Sequence, residues 1–111
     1  MMDAPVASLK LIEVAPSGTR APIHVKVGCP HPDNRGAWAC PILVDGLDSK
    51  PRDIYGEDSL QALCLGLRLV RTHLEEVLER GNRLVHSDDG SEFLLDTYFE
   101  DLSDGDTKSL G

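Results

Sequence analysis

Cys29, His31 and Cys40, with His24 a short way before them, are the residues whose types suit metal binding or attack on an electrophile. Thiolate and imidazole are the ligands of structural zinc, whose recognisable form is a close pair such as C-x₂₋₄-C followed by a second pair. Here one loose Cys-x-His precedes a single distant cysteine. Nucleophilic catalysis would need Cys29 or Cys40 beside a histidine that a third group orients, and no local signature surrounds either. The default use of cysteine is as a small buried hydrophobe. Cys64 falls on the apolar stripe of a helix and is expected to pack. The expectation is therefore no metal, no cofactor and no catalytic residue. The alternative is a small enzyme or metal-binding protein built on Cys29, His31 and Cys40.

The adjacent carboxylates have ordinary explanations. Asp89, next to Gly90, suits a turn, and Glu57 and Asp58 favour a helix N-terminus through its dipole. Glu76 and Arg80 are spaced as an i,i+4 ion pair. No Walker loop, G-x-G-x-x-G, H-E-x-x-H or EF-hand pattern is present.

These residues sit among elements that the hydrophobic pattern predicts. Ala7 to Val14 reads as a first strand. Ile23 to Gly28 alternates, with Ile23, Val25 and Val27 inward and His24 and Lys26 outward. Ala37 to Val44 is a third strand, with Trp38, Cys40 and Ile42 on one face. Pro41 cannot donate a ladder hydrogen bond, which predicts a sheet edge or a bulge. Asp45 to Arg52 reads as a polar connector.

A helix follows from about Asp58 to Arg80. On a wheel, Leu60, Leu63, Cys64, Leu67, Val70, Leu74, Val77 and Leu78 form a core-facing stripe. Asp58-Ser-Leu-Gln61 has capping-box spacing, with Gly56 an alternative cap, and Gly81-Asn82 is a stop. Arg83–His86 and Glu92–Leu95 predict a hairpin around Asp89-Gly90. The predicted fold is α+β: a small antiparallel sheet of about three to five strands in β-β-β-α-β-β order, with one long helix on one face. Residues 1–95 form the domain, preceded by a loose end at residues 1–5. Residues 96–111 form an acidic, flexible tail whose final nine residues are expected to be disordered.

The net charge of −8 is unevenly placed. Eight acids and one base lie between Ser87 and Gly111, whereas the rest is close to neutral. That bias disfavours nucleic acid, which needs clustered Lys and Arg. No apolar run is long enough to span a membrane, and the acidic, Pro5-interrupted start lacks the form of a secretory signal. An odd cysteine count also suits a cytoplasmic protein.

Two surface features stand out. The loop from Cys29 to Trp38 gathers His31, Asp33 and Arg35 around the only tryptophan; the plain alternative is a stiff hairpin whose Trp38 closes the core. The back of the helix carries Ala62, Leu65, Leu69 and His73. Either the chain's own C-terminal aromatics cover that second apolar face, or a protein partner or second protomer does. Gly66, nearby, suggests close backbone approach.

The stretch from Pro22 to Leu95 resembles a family of small bacterial proteins known only as a domain of unknown function. Its residues include Val25-Lys-Val-Gly28, Pro32-Asp33, Gly36-Ala-Trp-Ala-Cys-Pro41 and Tyr55-Gly-Glu-Asp-Ser-Leu-Gln-Ala-Leu63. The resemblance implies a bacterial cytosolic source and a compact strand–strand–strand–helix unit, and brings no catalytic or binding residue. Together these features lead to an expected non-enzymatic, partner-binding accessory module, immunity-like or chaperone-like. Its contacts would be Leu65, Leu69 and His73 on the helix and His31, Asp33, Arg35 and Trp38 in the loop.

Overall fold

A computed structural model of the protein describes residues 4–99. Most of the expected loose N-terminal end and of the acidic tail therefore lies outside the described residues. The elements are β1 (Ala7–Val14), β2 (Arg20–Val27), β3 (His31–Pro32), β4 (Trp38–Asp45), β5 (Arg52–Gly56), α1 (Ser59–Glu79), β6 (Arg83–His86) and α2 (Leu95–Tyr98). All strand pairs are antiparallel, so the chain has the expected α+β form.

Period-two alternation sets the faces. Ile23, Val25 and Val27 of β2 are buried, as are Cys40, Ile42 and Val44 of β4 and Leu11 of β1. These residues share the face that α1 covers. His24 and Lys26 take the other face, opposite Lys10 and Ser8 on β1 and Asp45 and Leu43 on β4.

β4 is internal, with β2 and β3 end to end on one side and β5 on the other. Pro41 is accommodated by a bulge. Val27 pairs with Ile42 and His31 with Ala39, so Gly28, Cys29 and Pro30 stand opposite only Cys40 and Pro41. The amide of Gly28 donates to the Pro41 carbonyl at 2.8 Å, and the missing Pro41 N–H faces this interruption. A Cβ on Gly28 would stand 3.0 Å from the Pro41 ring. Of the two expectations for Pro41, the bulge holds and the sheet edge does not.

α1 begins at Asp58, whose carboxylate accepts the Gln61 amide at 2.7 Å, while the Gln61 side chain accepts the Glu57 amide. Asp58, not Gly56, is the cap. The helix ends through Gly81 at φ +88, with Gly81 donating to the Leu78 carbonyl.

The helix is turned about its axis by about 70° from the predicted orientation. Its buried residues are Ala62, Gly66, Val70, Leu74 and Val77. Leu60 is 68% exposed and Leu78 39%, and Cys64 is also exposed. The reason is size: Gly66 lets the helix backbone settle onto Ile42 and Cys40, where a Cβ would meet the Ile42 Cδ1 at 2.8 Å. Leu63 and Leu67 are displaced to the flanks, half-buried on the core, while Val70, Leu74 and Val77 of the predicted stripe remain in the contact.

Arg80 also departs from expectation, pairing with Glu13 of β1 at 3.1 Å rather than with Glu76. Asn82 donates to the same carboxylate at 2.6 Å. Beyond β6, Asp89 and Gly90 form the predicted turn, Asp89 accepting the Ser91 amide at 2.9 Å. The second strand of that hairpin shrinks to one bridge, Val85 to Glu92. Leu95 and Phe99, four residues apart, both pack on the core. A helical turn brings both inward, and α2 replaces the expected strand end. Phe93 is buried against Tyr98 (ring centroids 4.7 Å) and the edge of His86.

Candidate functional site

The thiol and imidazole groups do not converge. Cys40 faces the core beneath α1, its Sγ 3.6 Å from the Gly28 carbonyl, and is fully buried. Burial, reinforced by nearby Cys29 and Asp53, raises its pKa and keeps it a thiol. Cys29 is exposed at the bulge. His31 pairs with Ala39 and takes the opposite face from Cys40. His24 lies on that same outer face, its pKa lowered by burial and by Lys26 and Lys10, against Asp45. Among the described residues, no group of three or more His, Cys, Asp or Glu is placed to hold a metal.

These environments predict distinct thiol reactivity. Cys29 and Cys64 are expected to react with a disulfide reagent within minutes at pH 8, and Cys40 only at the rate of unfolding. Stopped-flow labelling should show two fast thiols, and a third in denaturant.

In the loop, Asp33 organises the chain. Its carboxylate accepts the amides of Arg35 (2.8 Å) and Ala37 (3.1 Å), and these bonds, the Arg35 amide first, hold its pKa low. Arg35 stands over the Tyr55 ring at 5.5 Å. Trp38 packs half-buried against the core, as the plain reading of this hairpin expects.

On the helix, Ala62 is fully buried, Leu69 packs against the core half-buried, and Leu65 is half-buried. The face expected to stand alone is thus the flank of the core-facing stripe, directed toward β5. Two contacts fix that direction. The Ala62 backbone abuts Gly56, where a Cβ would lie 2.5 Å from the Ala62 nitrogen. His73 Nε2 is 3.9 Å from the Asp48 carboxylate, just before β5. Asp48 also grips Arg52 at 2.7 Å, and that bond chiefly lowers its pKa.

β5 lies in the region between the predicted connector and the predicted helix, and was not foreseen as a strand. It also bears an unpaired sheet edge. Pro41 directs its carbonyl toward Gly28, so Cys40 directs its amide and carbonyl toward Ile54. The alternating groups of Asp53 and Tyr55 therefore point away from the sheet, and none of the described residues bonds to them. At the opposite end of the sheet β6 is covered, His86 donating to the Ser91 carbonyl and Phe93 to that of Leu84. On that side β1 before Lys10 runs on without a strand partner among the described residues. The available sequence signal was Ile54-Tyr55, a pair of strand-favouring residues ended by Gly56.

Fold and site together define a small sheet-and-helix domain with an open strand edge at β5 beside a leucine-bearing helix flank. Residues 10–95 match the family described as domain of unknown function DUF6968, and the protein belongs to that family. The match begins at Lys10, within β1 and ahead of the Pro22 start of the resemblance. No curated protein and no solved structure shows a significant match.

Proposed function

We propose that this is a non-enzymatic protein-binding module, a small accessory protein of the bacterial cytoplasm in the manner of immunity-like or chaperone-like partners. The observation that carries the reading is the β5 edge. Asp53 and Tyr55 offer two amides and two carbonyls outward, and Leu65 and Leu69 lie half-buried alongside. Strand addition uses those two things, main-chain hydrogen bonds for affinity and neighbouring side chains for specificity. An edge left unpaired is also a liability that folds ordinarily cover or blunt with charge. The acidic balance, the three unpaired cysteines and the lack among the described residues of a helix able to cross a membrane support the setting.

The test is photocrosslinking of the full chain in its native host with benzoylphenylalanine replacing Leu65 or, as a control, Ser8 on the outer sheet face. Position 65 is expected to give a discrete protein adduct and position 8 none. Absence of any protein adduct at position 65 would overturn the reading.

A further inference from the structure

We propose that the occupant of the β5 edge is a second copy of this chain, joined strand to strand about a two-fold axis at Ile54. The inference rests on the β5 reading above and adds the identity of the partner. A two-fold interface must be self-complementary, and an antiparallel pair about an axis normal to the sheet allows only registers that keep each residue on its own face.

Three such registers fit a strand of this length. Centring on Asp53 sets two carboxylates face to face, which is unfavourable. Centring on Tyr55 sets Asp53 against Glu57 of the other copy, again like charges. Centring on Ile54 sets Asp53 against Tyr55 and Arg52 against Gly56, with no like charges opposed. As in the other two registers, outward groups meet outward groups, so charge is what selects it. Each Asp53 amide donates to the Tyr55 carbonyl of the other copy, and each Tyr55 amide to the Asp53 carbonyl.

The side chains agree on both faces. On the outer face, Asp53 arrives beside Tyr55 of the other copy, over which Arg35 already stands. Asp53 is exposed and has no ion-pair partner among the described residues; Arg35 of the other copy, which already holds Asp33 of its own chain at 3.5 Å, gives it one. On the inner face, Ile54 meets Ile54, and the Leu65–Leu69 flanks of the two helices approach above it. Main-chain bonding, charge and apolar contact are thus satisfied by one symmetry operation.

The test is the mass of the full chain in solution, by light scattering and sedimentation, with amide exchange of Asp53 and Tyr55. The expected species has about twice the 12.1 kDa chain mass, and both amides are protected. Asp53→Arg is expected to weaken the dimer by about tenfold or more through repulsion with Arg35. Adding Arg35→Asp to it should restore the dimer, since the pair is then reversed. Asp53→Pro, which removes an outward amide and leaves the β4 ladder intact, should give a monomer with an unchanged circular dichroism spectrum. A wild-type monomer, or a dimer indifferent to all three variants, overturns the inference. A monomer that still yields a protein adduct at position 65 overturns it while leaving the binding-module reading in place.

Discussion

Replacing Gly56 by alanine is expected to lower the stability of the domain by about 2–3 kcal/mol, the range of an overpacked core position. The new Cβ would stand 2.5 Å from the Ala62 nitrogen, 2.9 Å from its Cα and 3.0 Å from the Gln61 carbonyl carbon. All three are backbone atoms of the first turn of α1, so no side chain can swing aside. Only Glu57 and Asp58 separate β5 from the helix, which leaves little chain to absorb a displacement. Gly18→Ala provides the contrast. Its φ is +94, with nothing near its Cβ direction, so it carries only conformational strain of about 1–2 kcal/mol. Urea unfolding would separate the two, because Gly56→Ala should also displace β5 and abolish any species that depends on its edge. Equal losses, with the edge intact, would show that β5 and α1 are less rigidly joined than their contact implies.

Sequence periodicity reports where large apolar side chains recur, and that signal served the sheet well. β1 runs over the predicted Ala7–Val14, and the inward faces of β2 and β4 are those that alternation assigns. It served the helix less well. A wheel weights Leu60 and Leu78 heavily and Gly66 not at all, yet the first half of the helix rests on the core through Gly66 and Ala62, and only its second half through Val70, Leu74 and Val77 of the predicted stripe. Close approach selects the smallest residues, so the contact line and the hydrophobic stripe diverge. β5 was illegible for a related reason. An edge strand buries little, and only Ile54 and Gly56 of its five residues are even partly covered. The direction of its free groups depends on Pro41, a residue of another strand. The cysteine and histidine set was legible as a list, but the bulge at Gly28–Pro30 shifts the phase between β2 and β3. Spacing along the chain could not show that His31 and Cys40 take opposite faces.

The same divergence makes Gly66 the position where helix propensity and packing predict opposite signs. Alanine is favoured over glycine in a helix interior by about 1 kcal/mol, so propensity alone forecasts a gain for Gly66→Ala. Packing forecasts a loss of about 1–3 kcal/mol. The added methyl would lie 2.8 Å from Ile42 Cδ1, 3.1 Å from Ile42 Cγ1 and 3.3 Å from Cys40 Sγ. Both neighbours have 0% exposure, so neither has solvent to move into. Gly66→Leu is expected to abolish the native state under conditions where the wild type is folded. The mechanism is checked by a second change. Ile42→Val removes the terminal methyl nearest the intruding Cβ, at a cost of about 0.5–1.5 kcal/mol alone. Combined with Gly66→Ala it should cost less than the sum of the two, by about 1 kcal/mol, as expected for residues in direct contact. Strict additivity in denaturant melts would mean that Ile42 does not set the height of the helix above the sheet. A stabilised Gly66→Ala would mean that the helix gives way to the methyl, leaving its exposed Leu60 and Leu78 without the present explanation.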